Sequence, residues 1–201
     1  MQSFKMAAAV LMLGGLAGCG QSPAPKAAAD ASASDCGSGP VSSSLVRTAN
    51  YEFTASAGPL EATYTPAQVA SQHPVSGEIM LGGHMVDVPG MPMGGAPSMH
   101  RPPTGIARPG PGPGSYRHIE VHICDRASGM AILQASPHLS LIDRSRHDIA
   151  QSIPIAMMQG VHSGIGDIHY GNNAHMDTGH RYMLDVTMMG EHAQFEFNAG
   201  R

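Results

Sequence analysis

From residue 41 onward, hydrophobic and polar positions alternate in short runs, and no stretch holds a helical period long enough to predict an amphipathic helix. The runs 50–54, 60–64, 78–85, 117–124, 130–134, 139–142, 149–158, 168–171, 181–188 and 192–197 each read as a strand. In 181–188, Tyr182, Leu184, Val186 and Met188 interleave with Met183, Asp185 and Thr187, which predicts a half-buried strand. Met189-Gly190-Glu191 then turns the chain into Ala193, Phe195 and Phe197, completing a terminal hairpin. Pro154 cannot donate to a ladder, so its run belongs at a sheet edge or a bulge. Many short strands at regular spacing predict an all-β fold, an antiparallel β-sandwich.

Two tracts depart from this pattern. Residues 21–40 are Ala, Ser, Pro, Gly and Asp with almost nothing apolar to bury, a composition expected of a flexible spacer. Residues 89–115 hold eight Pro and seven Gly, and the run 109–114 alternates Pro and Gly, which suits neither helix nor strand. A long exposed loop is expected there. It carries Met91, Met93, Met99 and His100, with His84 and Met85 just before it. It is either a plain spacer or a thioether-bearing arm suited to Cu(I).

Composition narrows the function. Eleven Lys and Arg stand against fifteen Asp and Glu, and Lys5 and Lys26 are the only lysines. With no clustered cations, nucleic acid is excluded as a partner. The excess lies in His, with 12, and Met, with 15 of the 201 residues. Imidazole nitrogen and thioether sulfur are ligands of borderline and soft metals.

At the N-terminus, Lys5 precedes an apolar run from Met6 to Leu16, of signal-peptide length and too short to span a bilayer as a helix. It ends in Leu16-Ala17-Gly18-Cys19, which resembles the bacterial lipobox. That resemblance implies a lipoprotein signal peptide over 1–18, acylation of Cys19, and a mature protein anchored to the membrane by its acyl chains. The body would then face the periplasm or the cell exterior in the cell envelope, an oxidising compartment. Residues 19–45 would form the tether, 46–88 the first strands, 89–115 the loop and 116–198 the core of the sandwich. With Cys19 lipidated, Cys36 and Cys124 remain for one disulfide, with metal ligation by Cys124 as the alternative.

The strand 117–124 carries the candidate chemistry. Ile119, Val121 and Ile123 face one way, and His118, Glu120, His122 and Cys124 the other. Same-face neighbours lie ~6.6 Å apart along a strand, close enough to converge on one ion, whereas His118 and His122 would be ~13 Å apart. Such a polar face is either a solvated sheet surface or a ligand array. Downstream, Met157 and Met158 precede a Gly-rich stretch with His162, followed by His169-Tyr170-Gly171-Asn172-Asn173.

Together, His118-Ile119-Glu120-Val121-His122-Ile123, Ile155-Ala156-Met157-Met158, His169-Tyr170-Gly171-Asn172-Asn173, Gly179 and the strand Tyr182-Met183-Leu184-Asp185-Val186 resemble the periplasmic iron-transport accessory proteins. The resemblance covers about residues 116–198. It implies an immunoglobulin-like or cupredoxin-like sandwich and a copper site at a dimer interface. It also implies a role in ferrous iron uptake beside a membrane permease. Carried over by motif, the ligands are His118, Glu120 and His169, with Met158 or Met157 as the thioether. The chain has extra residues around 160–166 relative to the family's spacing. A further family His has no clear counterpart, with His175 and His180 nearest in position.

The leading expectation is therefore a lipid-anchored, non-enzymatic protein that holds copper or iron, one ion per site. A copper redox protein is the second reading, but the Cys-His-Met loop of a blue-copper centre is missing, as are HExxH and GxSxG motifs. The third is a structural or interaction lipoprotein on which residues such as His73, His138, His147 and His192 are ordinary surface groups.

Overall fold

The described residues of the protein, a computed structural model, are 44–88 and 115–200. The leader, Cys19, Cys36, nearly all of the tether and loop residues 89–114 lie outside them. The strands are β1 (Ser44–Arg47), β2 (Tyr51–Gly58), β3 (Thr63–Tyr64), β4 (Glu78–Gly83), β5 (Tyr116–Asp125), β6 (His138–Asp143), β7 (Ile149–Ile153), β8 (Ala156–Gly160), β9 (His169–His175), β10 (Arg181–Met188) and β11 (Glu191–Asn198). They form a seven-stranded sheet in the order β1-β2-β5-β9-β8-β4-β3 and a four-stranded sheet in the order β11-β10-β6-β7. Every pairing is antiparallel except the short β3–β4 contact. The fold is an all-β sandwich.

One core joins the two sheets. Phe53, Ala55, Ile119, Val121, Ile123 and Tyr170 come from the large sheet, while Leu139, Leu141, Leu184, Val186 and Phe195 come from the small one. Ile119, Val121 and Ile123 are fully buried. At roughly 1.5–3 kcal/mol for each large aliphatic side chain, they fix which face of β5 turns inward. The residues between them are thereby committed to the outer face.

The strand pattern differs from the sequence reading in four places. The run 149–158 is two strands in different sheets, because Pro154 and Ile155 break the ladder where the chain changes sheet. The run 130–134 is not a strand. It makes one isolated bridge, Cys124 to Ala131, and is held instead by the Tyr170 hydroxyl, which donates to the Ile132 carbonyl and accepts from the Ala135 amide. A short helix, α1 (Pro66–Gln72), was not foreseen. Thr65 and Gln68 form a reciprocal capping box, with Pro66 at the first turn. The first strand begins at Ser44, inside the last residues expected of the tether.

Cys124 is disulfide-bonded, so its sulfur is not a thiolate free to bind metal. Cys36, its expected partner, lies outside the described residues. No helix among the described residues is long and apolar enough to cross a membrane.

Candidate metal centre

The outer face of β5 is covered rather than solvated. His118 is 1% exposed and His122 5%, so the reading of a wet polar face does not hold. Antiparallel register sets Glu120 opposite Gly171 of β9, and Met158 of β8 opposite His169. A Cβ on Gly171 would stand 1.7 Å from the Ile119 carbonyl oxygen, so only glycine permits β9 to lie this close to β5. Within the His-Tyr-Gly segment, His169 points outward, Tyr170 anchors the core and Gly171 allows the approach.

Three buried side chains from three strands converge here: Glu78 of β4, His118 of β5 and His169 of β9. In sheet order β4 is two strands from β9 and three from β5. In a flat sheet those separations would be roughly 10 and 14 Å. Nevertheless, Glu78 Oε1 lies 3.1 Å from His118 Nε2 and 3.1 Å from His169 Nε2. The sheet therefore curls over this face and closes the distance.

The other ring nitrogens are engaged. His169 Nδ1 is 3.0 Å from the Asp167 main-chain oxygen, an acceptor only, so Nδ1 carries a proton. His118 Nδ1 is 3.0 Å from Asn173 Oδ1, and the Asn173 amide nitrogen donates to the Val86 carbonyl, which fixes the amide's orientation. His118 Nδ1 is therefore a donor too. In the neutral rings both Nε2 atoms are bare lone pairs, aimed at a carboxylate. This is the outer support seen around metal-binding imidazoles, in which a hydrogen bond to one nitrogen presents the other.

His118 Nε2 and Glu78 Oε2 are both buried without a hydrogen-bond partner. Of the two contacts to Glu78 Oε1, only the one from His169 has hydrogen-bond geometry. Ligands about 2.1 Å from a shared ion are spaced about 3.0–3.5 Å apart; Glu78 Oε1 already stands at that spacing from both imidazole nitrogens, and all three atoms lie within 4.8 Å of one another. The donor set, two imidazoles and a carboxylate, fits a divalent first-row metal.

The electrostatics follow from burial and proximity. Burial alone would raise the Glu78 carboxyl, but the close contacts and charge of His118 and His169 overcome it and hold the group at about 2. Burial would depress His169, yet the contact with Glu78 carries it up to about 8. His118 moves up against burial for the same reason. His122 goes the other way: burial, then the neighbouring His169, outweigh the charges of Asp167 and Glu78 and push it down to about 4. Its ring centroid is 5.3 Å from that of His169, and its Nδ1 is buried without a partner.

An open cavity of about 360 Å³ leads to the cluster, with Glu61, Glu78, Glu120, Asp167, His162 and His169 among its lining residues. Among the described residues no Lys or Arg lines it, so it favours entry of cations. Burial, followed by the charges of Glu78 and Glu120, raises Glu61.

The structure thus brings together His118 and His169 as the sequence predicts, with Met158 fully buried beside them. Met157 faces the opposite way, against the main core. Glu120 accepts a hydrogen bond from Ser56 at the cavity and is not one of the three converging groups. Glu78 takes that place. The sequence reading missed it because it lies far from the histidines along the chain. The available signal was a lone carboxylate opening an otherwise apolar strand, Glu78-Ile79-Met80-Leu81. His180 and His175 lie elsewhere, ion-paired with Asp143 and Asp177 respectively. His73, His138, His147, His162 and His192 are exposed.

No family model matches the chain, and no curated protein matches it. Among solved structures, a DUF4426 family protein from Pseudomonas aeruginosa PAO1 is similar over 77% of this chain and 90% of that chain, at 12% identity and a TM-score of 0.36.

Proposed function

We propose that this protein is a lipid-anchored, extracytoplasmic metal-binding protein that holds copper or ferrous iron at Glu78, His118 and His169 and passes it on without turnover. One observation carries the reading. Two buried imidazoles, each with Nδ1 tied to an acceptor, aim Nε2 at a single buried carboxylate. A bound cation satisfies all three groups at once, including the orphaned Glu78 Oε2 and His118 Nε2. His and Glu suit Fe(II) and Cu(II), and the adjacent Met158 thioether tilts the choice toward copper.

The remainder of the proposal rests on sequence. The lipobox-like Leu16-Ala17-Gly18-Cys19 supports acylation of Cys19, membrane anchoring and a position in the cell envelope. The resemblance to the iron-transport accessory proteins supports a homodimer and a membrane permease as recipient. It also supplies Glu120 as a ligand, a role that here passes to Glu78, with Glu120 at the entrance.

The test is an anaerobic titration of the full-length protein with the divalent ions Cu(II), Fe(II), Mn(II) and Zn(II). About one tight equivalent per chain, lost in His118→Ala and His169→Ala, is the expected result. Binding that is unchanged in both variants would overturn the assignment.

A further inference from the structure

Beside the Glu78, His118 and His169 cluster lies a second group of metal-ligating side chains. Met80, Met85 and Met158 pack together around Ala156, as a small cluster separate from the main core. Met158 is fully buried and Met85 9% exposed. Register places Met80 directly across from Met158, and Met158 directly across from His169. Partners so placed share a face of the sheet. A row of two thioethers and an imidazole therefore runs across three strands.

Met85 is held over this row by its neighbours. Asn172 donates from its amide nitrogen to the His84 carbonyl and accepts from the Val86 amide, and Asn173 donates to the Val86 carbonyl. The backbone on both sides of Met85 is pinned to β9, which fixes where its side chain starts. A satellite of a hydrophobic core needs no such sulfur content, since Leu or Ile fills space with better-defined rotamers. Three thioethers packed together, two buried and one partly buried, at the edge of an imidazole–carboxylate group are a soft donor set next to a harder one.

We infer that Met80, Met85 and Met158 form a distinct Cu(I) site, so that oxidation state decides where copper sits. Cu(I) takes the thioethers, and divalent ions take Glu78, His118 and His169. The Cu(I) site stands without the divalent one, because its ligands include neither imidazole nor carboxylate.

The test uses the full-length protein, anaerobically, with Cu(I) competed against a chromogenic chelator and Zn(II) as the divalent probe. The Met80→Leu and Met85→Leu substitutions conserve volume and fall at the positions that are not fully buried. Each should lower Cu(I) affinity by about tenfold or more while leaving Zn(II) affinity unchanged. His118→Ala with His169→Ala should abolish Zn(II) binding and leave Cu(I) binding in place, so failure of either site is read separately. A variant with Met91, Met93 and Met99 all changed to Leu should keep full Cu(I) affinity. Copper K-edge absorption of the Cu(I) form should show sulfur neighbours. Unchanged Cu(I) affinity in both single Leu variants would overturn the inference. So would loss of Cu(I) binding in the Met91, Met93 and Met99 variant, or a Cu(I) spectrum with nitrogen and oxygen neighbours alone.

Discussion

His169 and Glu78 face each other nitrogen to oxygen across 3.1 Å, while the other nitrogen of His169 donates its proton to the Asp167 carbonyl. A neutral His169 would therefore press a lone pair against a carboxylate. Either a second proton or a metal cation must stand between them, and the two compete for one place.

That competition predicts that metal binding at this site would depend on pH. His169 holds its extra proton up to about pH 8, so a divalent ion must displace it at neutral pH. Zn(II) affinity should rise as pH climbs from about 6.5 to 8 and level off above, by up to tenfold per pH unit for each proton released. Calorimetry near pH 7 in two buffers of different ionisation enthalpy measures the release directly. A flat profile across this range would contradict the arrangement.

The same groups govern stability of the metal-free protein. His169 rises from its ordinary 6.5 to about 8, so its contribution is complete below pH 6.5 and is lost as pH passes 8. Glu78, held at about 2, contributes above its ordinary 4.5 and loses that contribution as pH falls toward 2. His122 acts in the opposite sense: it is depressed to about 4 and costs stability as pH falls from 6.5 toward 4. On the alkaline side, the shift of His169 corresponds to about 2 kcal/mol, or about 4–8 °C in Tm for a chain of this size. Thermal unfolding should show that fall between pH 6.5 and 8.5 without metal, and saturating Zn(II) should remove it.

The carboxylates at the site are unequal. Glu78→Gln keeps the shape but removes the charge shared by both imidazoles, and should weaken Zn(II) binding by about 100-fold or more. Glu120→Gln, at the cavity mouth, should cost less than about tenfold, in the range of supporting groups. A larger loss in Glu120→Gln than in Glu78→Gln would return the ligand role to Glu120.

Tyr170 separates fold from site. Its hydroxyl satisfies the Ile132 carbonyl and the Ala135 amide inside the structure. Tyr170→Phe should lower stability by about 1–3 kcal/mol with little change in metal affinity, as read by denaturant unfolding and Zn(II) titration. Equal damage to both would mean that the 130–135 segment supports the site itself.

Strand β5 was legible in the sequence because its period-2 alternation is strict, and the same alternation placed His118 on the face away from the core. The terminal hairpin was legible for a similar local reason, whereas His169, and Met158 as one of two candidate methionines, came from the family resemblance. Glu78 was not, because its meeting with the histidines depends on the curl of a seven-stranded sheet, a property of the whole assembly. Burial of the polar face was hidden for the same reason, since β4 and the 84–88 segment cover it from a distance along the chain. The 130–134 run misled because apolar residues there serve a loop anchored by Tyr170 rather than a ladder. Helix α1 was readable from Thr65-Pro66-Ala67-Gln68, a capping signal that outweighs its weak apolar period.

The central claim is that one ion replaces one proton among Glu78, His118 and His169. Anomalous diffraction from crystals of the protein loaded with Zn(II) tests it most directly. The predicted result is a single strong peak about 2.0–2.2 Å from His118 Nε2, His169 Nε2 and a Glu78 oxygen, with both Nδ1 contacts intact. A peak elsewhere, with the Glu78 to His169 hydrogen bond still closed at 3.1 Å, would contradict it.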